Sequence, residues 1–149
     1  MPLRDRVVRA LPAFAVAALL LIAPAGAHAE YPANPNRICT TYGSKLDAVP
    51  RFHHPRGLGP YLERLLRIYR REVRALHRVS APPARRRAYA SYVAAVGGEI
   101  EMLTSARRIA RAHPRAALLL VATGEPLLQR VEKRAALRAG LHACAQRAG

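Results

Sequence analysis

Tryptophan is absent, lysine occurs only at positions 45 and 133, and the only cysteines are Cys39 and Cys144. Two cysteines cannot build a dense disulfide framework or a four-cysteine zinc site. No C-x-x-C occurs, which removes the dithiol of a thioredoxin-like oxidoreductase, and no C-x-x-C-H offers covalent attachment to haem. Acidic residues are also few, 9 against 25 Lys and Arg in 149 residues, for a formal net charge of +16. Apolar residues are plentiful: at 51% they can fill a core, which argues against disorder, and the length suits one domain rather than two. Thirty alanines with arginine in place of lysine are what a GC-rich genome tends to produce, so part of the charge is compositional.

The apolar run Ala13 to Ala23 is eleven residues long and is stopped by Pro24 and Gly26. It falls short of the ~20 residues that span a bilayer. Arg4, Arg6 and Arg9 precede it, and Ala27-His28-Ala29 follows. This three-part pattern predicts a secretory signal peptide over residues 1–29, cleaved after Ala29. No cysteine stands at that site to take a lipid. Cleavage leaves a single domain, residues 30–149, of 120 residues at a formal +14 in the extracytoplasmic space.

Within that domain apolar spacing predicts helices and no strands. The first runs from about Asn36, its expected N-cap, to Ala48, with Ile38, Tyr42, Leu46 and Val49 on one face. Residues 49–60, VPRFHHPRGLGP, hold three prolines and two glycines and read as a linker. The second helix, Tyr61 to Val79, opens after Pro60, whose missing N–H costs nothing at a first helical position. Leu62, Leu65, Leu66, Tyr69, Val73 and Leu76 form its apolar stripe, and Arg64, Arg67, Arg71, Arg74 and Arg78 lie opposite. Pro82-Pro83 stops it.

The third helix extends from Pro83 or Ala84 to Ala112. Tyr89, Tyr92, Val96, Ile100, Leu103 and Ala110 face the core, and Glu101 and Arg108 face away. Gly97-Gly98 predicts a kink or a close helix approach. A fourth segment begins at Pro114, is broken or kinked at Thr123-Gly124-Glu125-Pro126, and ends at Gly140-Leu141, a left-handed glycine stop followed by an apolar residue. Short connections between amphipathic helices favour antiparallel neighbours. The predicted fold is all-α, an up-and-down bundle of three main helices plus a short N-terminal one. The tyrosines Tyr61, Tyr69, Tyr89 and Tyr92 are expected in the core or at its edge, with hydroxyls reaching solvent.

Three features together, Ile38-Cys39 in the first mature helix, the break from Val79 to Pro83, and Gly140 to Cys144 as a glycine-leucine-x-x-cysteine terminus, have a counterpart elsewhere. The chain resembles small exported or lipid-anchored helical-bundle proteins of GC-rich bacteria, a group without an assigned activity. The resemblance covers most of residues 36–145 and implies a fold and an address. The chain departs from it where valine-serine-alanine precedes the proline pair and where Pro126 interrupts the last helix.

Export and an even count predict one structural disulfide, Cys39–Cys144, closing 105 residues. Other chemistry is sparse. His53 and His54 invite a metal, with His77, His113 or His142 as further ligands, but neighbouring residues of an extended chain diverge. Glu72 and His77 are five apart, off the Glu-x-x-His spacing of helical di-metal sites. Ser44, Ser80, Ser91 and Ser105 lie in no nucleophile-elbow motif, and Glu99 and Glu101 point to different sides of a helix. No cofactor, catalytic or metal residues are assigned, and the reading is non-enzymatic.

The arginine stripe of the second helix is the most regular polar feature, extended by Arg85-Arg86-Arg87 and by Arg107, Arg108 and Arg111. A sequence pI near 11.5 suggests nucleic acid first. Export and the lack of interleaved stacking aromatics disfavour it. Anionic lipid headgroups or phosphate-bearing wall polymers fit better, and the alternative is a merely solvated face. The function expected is a binding or structural module of the cell envelope. A metal-dependent or catalytic protein centred on the His53–His54 loop is the competing expectation, and a protein-binding or chaperone role the third.

Overall fold

The computed structural model describes residues 34–54 and 57–148. The signal-peptide reading and its cleavage point lie outside them. Among the described residues five α-helices follow one another: α1 (Pro35–Asp47), α2 (Leu58–Leu76), α3 (Arg86–Ala110), α4 (Pro114–Ala139) and α5 (His142–Arg147), with a 3-10 turn, Pro83–Arg85, before α3. There is no strand among the described residues. α3 packs against α2 on one side and α4 on the other; α1 packs on α2, and α5 bridges α4 back to α1. The chain is an up-and-down bundle closed into a ring by its two short helices.

Local chemistry accounts for most boundaries. Asn34, not Asn36, caps α1: its Oδ1 accepts from the Arg37 N–H at 3.4 Å, with Pro35 at the first helical position. Asn36 serves the other end of the chain, where its Oδ1 accepts from the Ala143 N–H at 3.0 Å and caps the unpredicted α5. Pro60 falls within the first turn of α2, which begins three residues before the expected Tyr61 because Leu58 is itself buried. At the end of α4 the Leu141 N–H reaches the Ala136 carbonyl at 2.9 Å and the Gly140 N–H the Leu137 carbonyl at 3.0 Å, with Gly140 at φ 74°. This is the left-handed stop that the sequence predicts.

Of the break or kink expected at Thr123-Gly124-Glu125-Pro126, the break does not occur. α4 runs unbroken through Pro126. Pro126 and Ala122, whose carbonyl loses its partner, are both exposed, so the lost bond leaves no buried polar group, and α3 packs along the helix's other side. α3 is likewise continuous through Gly97-Gly98. A side chain at Gly98 would press on Leu128 of α4 at 3.3 Å, so close approach is the alternative realised there.

The interior falls into two apolar clusters. One gathers Leu76, Tyr92, Val96, Ala136, Leu141 and the two cysteines, with Ile38 and Tyr69 against it. The other gathers Leu58, Leu62, Leu66, Leu103, Ala106 and Ala117, with Ile100 and again Tyr69 against it. Each fully buried leucine among them contributes roughly 1.5–3 kcal/mol relative to exposure. Cys39 and Cys144 are joined in a disulfide with a Cα–Cα distance of 5.1 Å, both fully buried.

Two expectations are corrected here. In α1 the buried face is Pro35, Cys39 and Gly43, whereas Ile38, Tyr42 and Leu46 are half-buried. Gly43 turns inward because the stem of Arg147 lies where its side chain would be, with Cδ 3.1 Å from an ideal Cβ. The hydroxyls of Tyr89 and Tyr92 point inward rather than to solvent. Tyr89 donates to the Leu76 carbonyl at 2.7 Å, and Tyr92 donates to Cys39 Sγ at 3.0 Å.

Candidate functional site

All five arginines of the predicted stripe, Arg64, Arg67, Arg71, Arg74 and Arg78, are exposed on α2 or just past its end, as is Arg70. At 100° per residue the five lie within about 80° of one another. The two acidic residues of α2 do not neutralise them: Glu63 pairs with Arg107 of α3, and Glu72 is fully buried. The Glu63–Arg107 pair is half-exposed and contributes at most about 1 kcal/mol.

Arg85 leaves the positive surface. It is half-buried and donates to the Ala139 carbonyl at 3.1 Å, so it satisfies the C-terminus of α4 where the helix dipole favours a cation. Arg86, Arg87, Arg108 and Arg111 remain exposed.

The five described histidines, His53, His54, His77, His113 and His142, are all exposed. Among the described residues no three of His, Cys, Asp and Glu are placed to hold a metal ion. Glu99 and Glu101 diverge as expected, Glu99 into the core and Glu101 to solvent.

Between the two apolar clusters lies a polar layer that the sequence reading missed. Glu72 of α2, Glu99 of α3 and Glu132 of α4 are all buried. Arg147 of α5 reaches into the layer and donates to Glu72 Oε1 through one guanidinium nitrogen and to Glu132 Oε1 through another. Glu72 Oε2 and Glu99 Oε1 have no hydrogen-bond partner. Three carboxylates face one cation, so they cannot all ionise cheaply.

Burial pushes the Glu72 carboxyl up to about 7 against the opposing pull of Arg147. Burial, then the charges of Glu132 and Glu125, pushes Glu99 up to about 8, so Glu99 is largely neutral at pH 7. Glu132 is also raised by burial, with Arg147 opposing. Burial alone would lower the Arg147 pKa, but Glu72 and Glu132 lift it above the ordinary arginine value. Burial likewise raises Tyr69 and Tyr92, whose rings border the layer.

A signal for this layer was present. Glu72 sits between Tyr69 and Leu76, Glu99 between Val96 and Leu103, and Glu132 between Leu128 and Ala135, each at core spacing on its helix.

Two surface grooves occur among the described residues. One, of about 770 Å³, lies where α2 starts and α3 ends, lined by Gly59, Pro60, Glu63, Arg107, Arg108 and Arg111 among others. The second, of about 780 Å³, lies between the end of α2 and the first half of α3, with Val73, His77, Tyr89, Val93, Gly97 and Glu101 in its walls. Neither is lined by Glu72, Glu99, Glu132 or Arg147. The layer lies inside the bundle and ties α5 to α2 and α4 through Arg147. No described helix is long and apolar enough to cross a membrane. The chain matches no protein-family model, no curated protein and no solved structure.

Proposed function

We propose that the protein is an exported, non-enzymatic binding module of the cell envelope that attaches to anionic surfaces through the arginine face of α2. The observation that carries this reading is the run of five exposed arginines on one narrow arc, whose bordering carboxylate, Glu63, is paired with Arg107 of α3. Guanidinium groups present paired donors that match phosphate oxygens, and a rigid helix holds them in register. Attraction to a negatively charged surface acts over a Debye length and is screened by salt.

The test is co-sedimentation of the purified protein with vesicles of phosphatidylglycerol and phosphatidylcholine, and with a phosphate-bearing wall polymer, across a salt series. Binding is expected to weaken steeply with salt and to collapse in the R67E/R71E variant. Binding indifferent to both changes would remove the proposal. The competing reading, a metal-dependent protein centred on His53 and His54, requires stoichiometric metal in protein recovered from the extracytoplasmic fraction, lost on His54→Ala.

A further inference from the structure

α4 hides one side and leaves the other uncovered. Leu119 is 65% exposed, Leu127 56%, Val131 54% and Leu137 51%. Leu119, Thr123, Leu127 and Val131 follow one another at intervals of four, so they form a continuous ridge along the helix. The one polar member, Thr123, donates its hydroxyl to the Leu119 carbonyl at 2.8 Å, so the helix itself satisfies it.

The neighbouring ridge is Arg130, Arg134 and Arg138, again four apart and all exposed, and Leu137 lies on its far side. At 100° per residue all of these fall within about 120° of arc. The only acidic residues of α4, Glu125 and Glu132, lie on the opposite side, Glu132 buried and Glu125 half-buried and bonded to Gln129. The uncovered face is therefore apolar and cationic, with no carboxylate in it.

Single exposed leucines are ordinary on a protein surface, but an aligned row with an interleaved arginine ridge selects its occupant. A second copy of the chain would bring two sets of Arg130, Arg134 and Arg138 into one interface, with no carboxylate of this face to offset them. A phosphate polymer would reward the arginines and leave the leucines in water. An anionic bilayer surface rewards both: phosphates meet the guanidinium groups, and the apolar ridge enters the boundary between headgroups and acyl chains.

We infer that α4 is a membrane-surface docking face, laid flat on an anionic leaflet with Leu127 and Val131 inserted and Arg130, Arg134 and Arg138 at the phosphates. This rests on the anionic-surface reading of the protein and narrows it from phosphates in general to lipid. The inserted apolar ridge of α4 adds a contribution to the attachment that salt does not screen.

The chain has no tryptophan, so L127W is a single-site reporter in the otherwise unchanged protein. On saturating phosphatidylglycerol vesicles its emission is expected to move to shorter wavelength and to be shielded from iodide. L127E/V131E, whose sites are exposed and leave the core untouched, is expected to keep its circular dichroism and lose about tenfold or more in vesicle partitioning. Its binding to a soluble phosphate polymer is expected to be unchanged.

An introduced tryptophan that stays in water on saturating vesicles overturns the inference. So does undiminished vesicle binding by L127E/V131E. A blue shift that grows with protein concentration without vesicles assigns the face to a second copy and also overturns it, as does one produced only by an acidic protein. The two readings fail separately: R67E/R71E reports on α2 alone, L127E/V131E on α4 alone.

Discussion

A single guanidinium, that of Arg147, holds two carboxylates inside the bundle, and a third carboxylate, Glu99, lies in the same layer with its Oε1 unpartnered. Removing Arg147 leaves Glu72 and Glu132 buried and unpaired. Arg147→Ala is therefore expected to cost about 3–5 kcal/mol in urea unfolding, and E72Q/E132Q in the same background to restore most of it.

The pH dependence follows from the direction of the shifts. Folding raises the Glu72 pKa to about 7 and the Glu99 pKa to about 8, against an ordinary value of 4.5. The folded protein thus keeps protons that the unfolded chain releases between pH 4.5 and 8. The stability this provides is complete below about pH 4.5 and lost as pH rises through 7 and 8. The melting temperature at pH 5 is expected to exceed that at pH 8.5 by several degrees, about 2–8 °C for each kcal/mol. Glu99 faces Glu132 and Glu125 from α4, Arg147 from α5 and Tyr69 from α2. Glu99→Gln is expected to flatten the upper part of that slope, and an unchanged slope would show that Glu99 does not supply it.

At the scale of the helix, glycines separate tight sites from open ones. Gly140 has φ 74°, and an ideal Cβ there would fall 1.5 Å from Arg85 Nη1. Gly140→Ala both strains the backbone and displaces the arginine that satisfies the Ala139 carbonyl, and is expected to cost more than about 1 kcal/mol. Gly97 has nothing within 4 Å of such a Cβ, so Gly97→Ala is expected to stabilise α3 by up to about 1 kcal/mol. At Gly124 a Cβ would come within 2.6 Å of Met102 Sδ, and alanine there is expected to destabilise. Thermal melts of the three variants check the ranking.

These helices were largely legible from spacing. The core stripes of α2 and α3 lie where Leu62, Leu66 and Leu76, and Tyr89, Tyr92, Val96 and Leu103, predict them. Three features were not. Pro126 and Ala122 reveal nothing in sequence about which way they face, and that decides whether the helix breaks. Arg85 reads as one of three surface arginines until α4 brings it a carbonyl. α5 has only six residues, too few to hold a helix alone, and exists through its neighbours.

For the whole molecule the Cys39–Cys144 bond has a double role. It closes a span of 105 residues, for which chain entropy implies about 4–5 kcal/mol of stabilisation. It also holds α5 against α1, and α5 carries Arg147 into the polar layer. Reduction, or C39S/C144S, is expected to lower stability by that amount. It should also couple to Arg147→Ala, the combined loss falling short of the two single losses added. Full additivity in a double-mutant cycle would show that α5 stays docked without its bridge.

Helix type, the prolines that separate segments, the glycine stop at Gly140 and the pairing of the only two thiols belong to local pattern and count, and the amino-acid order alone determined them. Which carboxylates would be buried, where Arg147 would go, and which side of α4 would be left uncovered depended on what distant segments bring to the same point. Solvation and charge pairing are set by those neighbours in space, whereas periodicity records only neighbours along the chain.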